Sequence, residues 1–329
     1  MVRPVVRMAG GGPALELPGA AILFDSAEGG GVRCISHAHM DHAGQAAGIN
    51  VMTRETHRIF AARRVHYRRF ISSPLGVRIK VQPGVSLVAS NSGHMLGASM
   101  FKIEADGFTA LYTGDMNTYD TILHRGAEPV ESDILVIDST YGSPVYKFPE
   151  REQVYGEIVR WVSRTLRDGE IPAFKVYSAG KAQEIIALIN KTVEAPVVTS
   201  PQVFRISRVY REKYPWMSFL SVGGREGREA LRDGAVYVSS WVDFTSWAGR
   251  RVRWAEATGW VLVRRLPEME AHFALSNHSD FQGILSYVKS SNYSRVLTVY
   301  GYSGVLARHL RSSGIGAVSL DEKIRVELG

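Results

Sequence analysis

Three imidazoles and a carboxylate fall within one short stretch, His37-Ala38-His39-Met40-Asp41-His42, directly after the apolar run Val32 to Ile35. A run of that length bounded by polar residues reads as a buried strand, as does Ile22 to Phe24 before it. Side chains that leave a buried strand on a tight loop can converge around a cation. Mixed imidazole and carboxylate donors suit zinc, manganese or iron. The competing explanation is a polar loop in which histidines coincide, and this many donors at this spacing argue for the metal.

A catalytic metal needs further donors, and two segments offer them: Gly93-His94-Met95-Leu96-Gly97 and Tyr112-Thr113-Gly114-Asp115. In each the donor follows a strand-like run and stands beside glycine, which lets the backbone turn tightly and approach a site. Val85 to Ala89, Ser99 to Ala105 and Phe108 to Tyr112 read as strands, with a hairpin turn at Asp106-Gly107. The first 115 residues are therefore strand-rich.

Near residue 150 the period changes. Val154, Ile158, Trp161 and Thr165 are spaced as one helical face ending by Asp168-Gly169, and a strand from Ile171 to Val176 follows. A second helix from about Lys181 to Lys191 carries an apolar stripe of Ala182, Ile185, Ile186 and Ile189. Further strands at Pro196 to Thr199 and Ala235 to Ser239 continue the alternation, which implies a parallel βα layer. After Pro267 come another strand, a helix near 281–290 and the apolar Val296 to Val299. The layout is a central domain inserted between two parts of another.

The chain is 45% apolar and 22% charged, the balance of a folded globular protein. Lysine and arginine exceed acids by 39 to 32, a net +7 that suits a polyanionic ligand or is solvated surface charge. Cys34 is the single cysteine, so no internal disulfide forms and the cytoplasm is the expected compartment. With no run of 18 apolar residues, no membrane insertion is expected.

Together these segments resemble the metallo-β-lactamase superfamily, and several more resemble its β-CASP nuclease branch. Asp25 resembles the first acid of that family, His37 to His42 the second motif, His94 the third and Asp115 the fourth. Asp138-Ser139-Thr140-Tyr141-Gly142 resembles motif A, and Ser276-Asn277-His278-Ser279-Asp280 resembles motif B. Gly180-Lys181-Ala182-Gln183-Glu184 resembles the opening of the β-CASP insertion. The resemblance implies an α/β fold: a metallo-β-lactamase αββα sandwich over residues 1–146 and 268–329, with a β-CASP α/β domain on a parallel sheet inserted over 147–267. It also implies that His37, His39 and His94 hold one metal, that Asp41 and His42 hold a second, and that Asp115 bridges them. By the same resemblance Asp41, Asp138 and His278 are catalytic, with His278 the general acid and Asp138 its orienting partner. One or two zinc ions are expected, with manganese an alternative.

The chain departs from the RNA-processing β-CASP enzymes at motif C, where they carry a histidine. Here the strand reads Leu297-Thr298-Val299-Tyr300-Gly301-Tyr302, and Tyr300 is the closest positional match, while a shift of one residue places Val299 there. Artemis-type DNA nucleases also lack that histidine, and the compact length is similar to the ligase-associated DNA exonucleases. The expectation is therefore a metal-dependent hydrolase of nucleic acid that leans to single-stranded DNA, as a 5′ exonuclease in repair. RNA processing like that of archaeal mRNA 3′-end processing factors is the alternative, ahead of a small-molecule hydrolase or a non-catalytic nucleic-acid-binding protein. Arg63, Arg64, Arg68 and Arg69, interleaved with His66 and Tyr67, are candidate substrate contacts with Lys181. Arg205, Arg208 and Arg211 make a basic helical ridge. Trp241, Trp247, Trp254 and Trp260 accompany Arg250, Arg251 and Arg253 as either a basic aromatic lining or core packing.

Overall fold

Alternating burial sets the strand architecture of the first half. The computed structural model describes residues 4–43, 48–105, 107–242, 249–322 and 325–328, so Asp106 of the expected hairpin turn and Trp247 lie outside the described residues. Strands β1 (Val5–Ala9), β2 (Gly12–Leu17) and β3 (Ala20–Phe24) pair antiparallel. From β3 the sheet continues parallel through β4 (Val32–Cys34), β5 (Ile49–Met52) and β6 (Phe70–Ser72). The metal loop leaves β4 through the short helix α1 (Met40–Ala43). Helix α2 (Arg54–Ala62) starts at Thr53, whose hydroxyl caps the amide of Thr56, and buries Ile59 and Phe60.

A second sheet begins with the antiparallel ladder β7 (Arg78–Gln82), β8 (Val85–Asn91), β9 (Ser99–Ala105) and β10 (Phe108–Tyr112). In β8, Val85, Leu87 and Ala89 are buried while Ser86, Val88 and Ser90 are half-buried, the period of a strand with one face in a core. Parallel β11 (Ile134–Asp138) follows β10.

The next stretch forms its own layer. Strands β12 (Ile171–Lys175), β13 (Val197–Thr199), β14 (Leu220–Ser221), β15 (Val236–Ser239), β16 (Val252–Ala257) and β17 (Ala271–Phe273) make one parallel sheet in the order β14-β13-β15-β12-β16-β17. Helices α3 (Arg151–Arg167), α4 (Lys181–Thr192), α5 (Pro201–Lys213) and α6 (Arg225–Asp233) connect them. Ile171, Ala173, Val198, Tyr237, Trp254 and Met269 fill its core.

The chain then returns to the second sheet through helix α7 (Phe281–Lys289), β18 (Arg295–Val299), helix α8 (Ser303–Ser312) and β19 (Ala317–Ser319). Strand β20 (Arg325–Glu327) closes the first sheet against β1. The first two sheets share a core in which Ile22, Phe24, Cys34 and Val51 meet Leu87, Phe101, Tyr112 and Val299. On the other face of the second sheet, Leu111, Leu135 and Ile137 pack on Phe281 and Ile284 of α7 and Leu306 and Leu310 of α8.

Two compact units result: Met1–Asp120, Arg125–Pro144 and His278–Gly329 form one, and Thr121–His124 with Val145–Asn277 the other. The first domain was expected to resume at residue 268. Instead β17 pairs with β16, so the second unit runs on to Asn277. Among the described residues no helix is long and apolar enough to cross a membrane.

Candidate metal centre

Strands β4, β8, β10, β11 and β18 deliver their following residues to one end of the two-sheet unit, and Ser99 N bonds Ser36 O at 2.9 Å across that end. Glycine permits the approach: Gly114 has φ 54°, and a Cβ there would stand 2.4 Å from the Ser36 Cβ.

Asp25 organises the loop. Its carboxylate accepts from Ser36 N at 2.7 Å, Ser36 Oγ at 2.6 Å, Tyr112 Oη at 2.7 Å and His42 Nδ1 at 2.9 Å. Because Ser36 gives its only hydroxyl proton to Asp25, it accepts from His37 Nδ1 at 2.9 Å. Both His37 and His42 are therefore protonated on Nδ1, and their Nε2 atoms are left for a ligand role.

His37 Nε2 lies 2.9 Å from His39 Nδ1 and 3.3 Å from Asp115 Oδ2. His94 Nε2 lies 3.3 Å from His39 Nδ1 and 3.6 Å from Asp115 Oδ2. Donors at about 2.1 Å from a tetrahedral cation stand about 3.4 Å from one another. The three histidines and Asp115, whose donor atoms all lie within 4.8 Å of one another, fit a cation on that test. Burial holds His37 well below the usual imidazole range, keeping it neutral as a ligand must be, and burial raises Asp115 to about 6.

The other oxygen of Asp115 looks elsewhere. Oδ1 lies 3.5 Å from His42 Nε2, and His42 Nε2 lies 3.9 Å from an Asp41 carboxylate that is 81% exposed. Among the described residues Asp41 joins none of the close donor groups. Burial alone would lower His42, but Asp115 and Asp25 outweigh it and raise it to about 10, a balance that a bound cation reverses. At the motif C position, Tyr300 has φ 67°, and its hydroxyl lies 3.0 Å from that of Tyr112. Since Tyr112 donates to Asp25, Tyr300 donates to Tyr112, and burial raises the Tyr300 phenol well above its ordinary range. Tyr300 thus serves the hydrogen-bond network and offers no phenolate.

His278 completes the cluster. Its Nδ1 lies 2.8 Å from Asp138 Oδ2 and its Nε2 lies 3.6 Å from Asp115 Oδ2. Burial would raise Asp138, yet His278 and the Thr140 amide and hydroxyl, at 2.8 and 2.6 Å, hold it below the usual carboxylate range. The neighbouring motif residues are structural: Asp280 caps α7 through Gly283 N at 2.9 Å, and Ser279 Oγ accepts from Thr118 N at 2.8 Å.

The expected substrate contacts divide. Arg64, Arg68 and Arg69 are exposed, whereas Arg63 is half-buried at the end of α2, where burial lowers its pKa and Asp41 offsets that only in part. Tyr67 is buried and donates to Ala43 O at 2.8 Å, so its ring is not open for stacking. Lys181 is buried in the second unit, 3.8 Å from Glu184. Trp254 is core, Trp260 meets the ring of Tyr146, and Arg251 and Arg253 are paired with Glu170 and Glu270. Sequence reasoning missed Ser36, Tyr112 and Thr140, which hold the ligands and the dyad. A hydroxyl beside a donor was the only signal, and only for Ser36 and Thr140.

No model of a known protein family matches the chain. Among curated proteins, it is 30% identical to a "Probable DNA ligase" of Opitutus terrae over 314 residues, 90% of this chain and 29% of that protein. The chain resembles the β-CASP branch of the metallo-β-lactamase superfamily. An "RNase J-like protein" of Methanocaldococcus jannaschii is 32% identical over 136 residues, 39% of this chain and 32% of that protein. The "Cleavage and polyadenylation specificity factor subunit 3" of Dictyostelium discoideum is 35% identical over 130 residues, 39% of this chain and 16% of that one. The chain thus spans about a third or less of the length of each of these relatives. A protein of unknown function from Enterococcus faecalis has the same fold, with a TM-score of 0.71 at 14% identity and full coverage of both chains.

Proposed function

We propose that this chain is a metal-dependent phosphodiesterase that hydrolyses nucleic acid, with single-stranded DNA as its preferred substrate and attack from the 5′ end. The observation that carries the reading is His278, held by Asp138 at 2.8 Å with its Nε2 3.6 Å from Asp115 beside the four-donor group. His37, His39, His94 and Asp115 would hold a zinc or manganese ion, with His42 and Asp41 on the far side of Asp115 a looser place for a second. A cation held there supplies Lewis acidity to a phosphoryl oxygen and makes water acidic enough to attack near neutral pH. His278 then gives its Nε2 proton to the departing oxygen, while ionised Asp138 keeps Nδ1 protonated and the ring oriented. Arg63, Arg64, Arg68 and Arg69 would contact phosphates. The architecture proposed is the αββα sandwich with a β-CASP insertion that runs on through β17 to Asn277, in the cytoplasm.

The lean to DNA is supported by Tyr300 at motif C and by the alignment with the DNA ligase-named relative. RNA is the second reading, favoured by the RNase J-like relative. Degradation of 5′-labelled and 3′-labelled single strands of DNA and RNA of one sequence, in zinc or manganese, separates them. DNA should be lost first and from its 5′ end. Rapid RNA cleavage with inert DNA would transfer the assignment to RNA, and inertness of both would end the nuclease reading.

A further inference from the structure

One hydroxyl joins the two strands whose carboxylates flank His278. Strands β10 and β11 pair in parallel as far as Tyr112 opposite Val136, and Thr113 N continues the ladder to Val136 O at 3.0 Å. In a regular parallel ladder the next bond would run from Asp138 N to the Thr113 carbonyl. Asp138 N instead donates to Thr113 Oγ1 at 3.0 Å, and that hydroxyl gives its own proton to Gly114 O at 2.7 Å. The side chain thus stands in for a backbone carbonyl, and the ladder ends on a hydroxyl.

Both bonds of that hydroxyl lead into the site. Gly114 turns with φ 54°, and the bond from Thr113 to its carbonyl holds the turn. Asp115 follows, with Oδ2 3.3 Å from His37 Nε2 and 3.6 Å from both His94 Nε2 and His278 Nε2. On the other strand Asp138 holds His278 Nδ1 at 2.8 Å. The His278 ring is therefore spanned by two carboxylates whose backbones are tied together at Thr113 Oγ1.

Thr113 is fully buried between the apolar Leu111 and Tyr112 and the turn, where valine would have the same shape and no polar atom to desolvate. A hydroxyl in such a place is favourable only when it is bonded, and here its proton and a lone pair are both used. We infer, on the reading of His278 as the acid of a phosphodiesterase, that Thr113 is a positioning residue. By splicing the end of β10 to the end of β11, its hydroxyl sets the distance between the metal-holding carboxylate of Asp115 and the His278–Asp138 pair. A misplacement of about 1 Å between reacting groups costs on the order of a hundredfold in rate, so such a splice acts on catalysis without touching substrate.

The test compares Thr113→Val, which keeps the branched shape and deletes the hydroxyl, with Thr113→Ser, which returns it. Affinity for the first metal, followed by competition with a chromophoric chelator, should fall about tenfold in the valine variant and stay within about twofold of the parent in the serine variant. With metal saturating, kcat of the valine variant on a single strand should fall about a hundredfold, with KM within about twofold. A nitrophenyl ester of a nucleotide, whose leaving group needs no proton, should be slowed about tenfold less than the strand. Serine should recover most of the strand rate. If the valine variant does not melt cooperatively, Thr113→Ala, which presses no methyl against the Asp138 amide, carries the same comparison. Equal slowing of strand and ester overturns the inference, because the acid would not have moved relative to the metal, and so does a valine variant that matches the parent throughout. In both cases a parent that cuts the strand leaves the nuclease reading standing; a parent that cuts no strand ends that reading and the inference together.

Discussion

The two sides of Asp115 are built to different standards. Toward Oδ2, three histidines present donors at spacings of 2.9 to 3.6 Å, and His37 is fixed in tautomer by Ser36 and Asp25. Toward Oδ1, His42 has the same support from Asp25, but its next partner, Asp41, is exposed at 3.9 Å, and Tyr300 is turned into the hydrogen-bond network. Preorganised donors lose little entropy on binding, whereas an exposed carboxylate must be ordered first. The difference teaches that one cation should bind far more tightly than a second, although a single carboxylate serves both places.

His37→Ala should have the largest effect, because His37 Nε2 approaches both His39 and Asp115. Elemental analysis after dialysis should find the tight metal gone and hydrolysis at background. Full retention of metal would mean that the tight site lies on the other side of Asp115, which inverts the comparison.

His278→Ala is expected next, with kcat lowered by about a hundredfold to ten-thousandfold and metal content untouched. A nitrophenyl ester of a nucleotide, whose leaving group needs no proton, should recover most of that loss. If the activated ester is slowed as much as the natural linkage, His278 does not act as the acid.

What could be read from the sequence follows how local each interaction is. His37, His39 and His42 sit on one loop, and His94 and Asp115 each follow a strand beside glycine, so pattern alone marked them. The His278–Asp138 contact joins residues 140 apart and was visible only through resemblance. The hydroxyls of Ser36 and Tyr112 matter because of which strands abut, and no periodicity encodes that. Lys181 was expected among the substrate contacts, yet α4 is buried along almost its whole first three turns and takes the lysine with it. Strand β17 has only three residues, too short for its pattern to say which sheet it would join.

Ser36→Ala probes the support of the tight side without removing a donor. His37 then loses the acceptor for its Nδ1 proton, and Asp25 loses one of its four contacts. Affinity for the first metal, followed by competition with a chromophoric chelator, should fall about ten- to a hundredfold, the usual cost of removing such an outer partner. An unchanged affinity would show that burial alone fixes the His37 tautomer.

Tyr300→Phe should have the smallest effect and is the most selective. It deletes the outermost hydroxyl of the chain Tyr300–Tyr112–Asp25–His42, whose links are 3.0, 2.7 and 2.9 Å, and leaves the ring in place. Asp25 keeps its bonds to Ser36, so His37 should not notice. His42 sits one link closer, and the second metal equivalent in a calorimetric titration should weaken by less than about tenfold while the first is unchanged. Equal weakening of both equivalents would mean that Asp25 couples the two sides of Asp115 into one site, and the asymmetry would then lie in Asp41 alone.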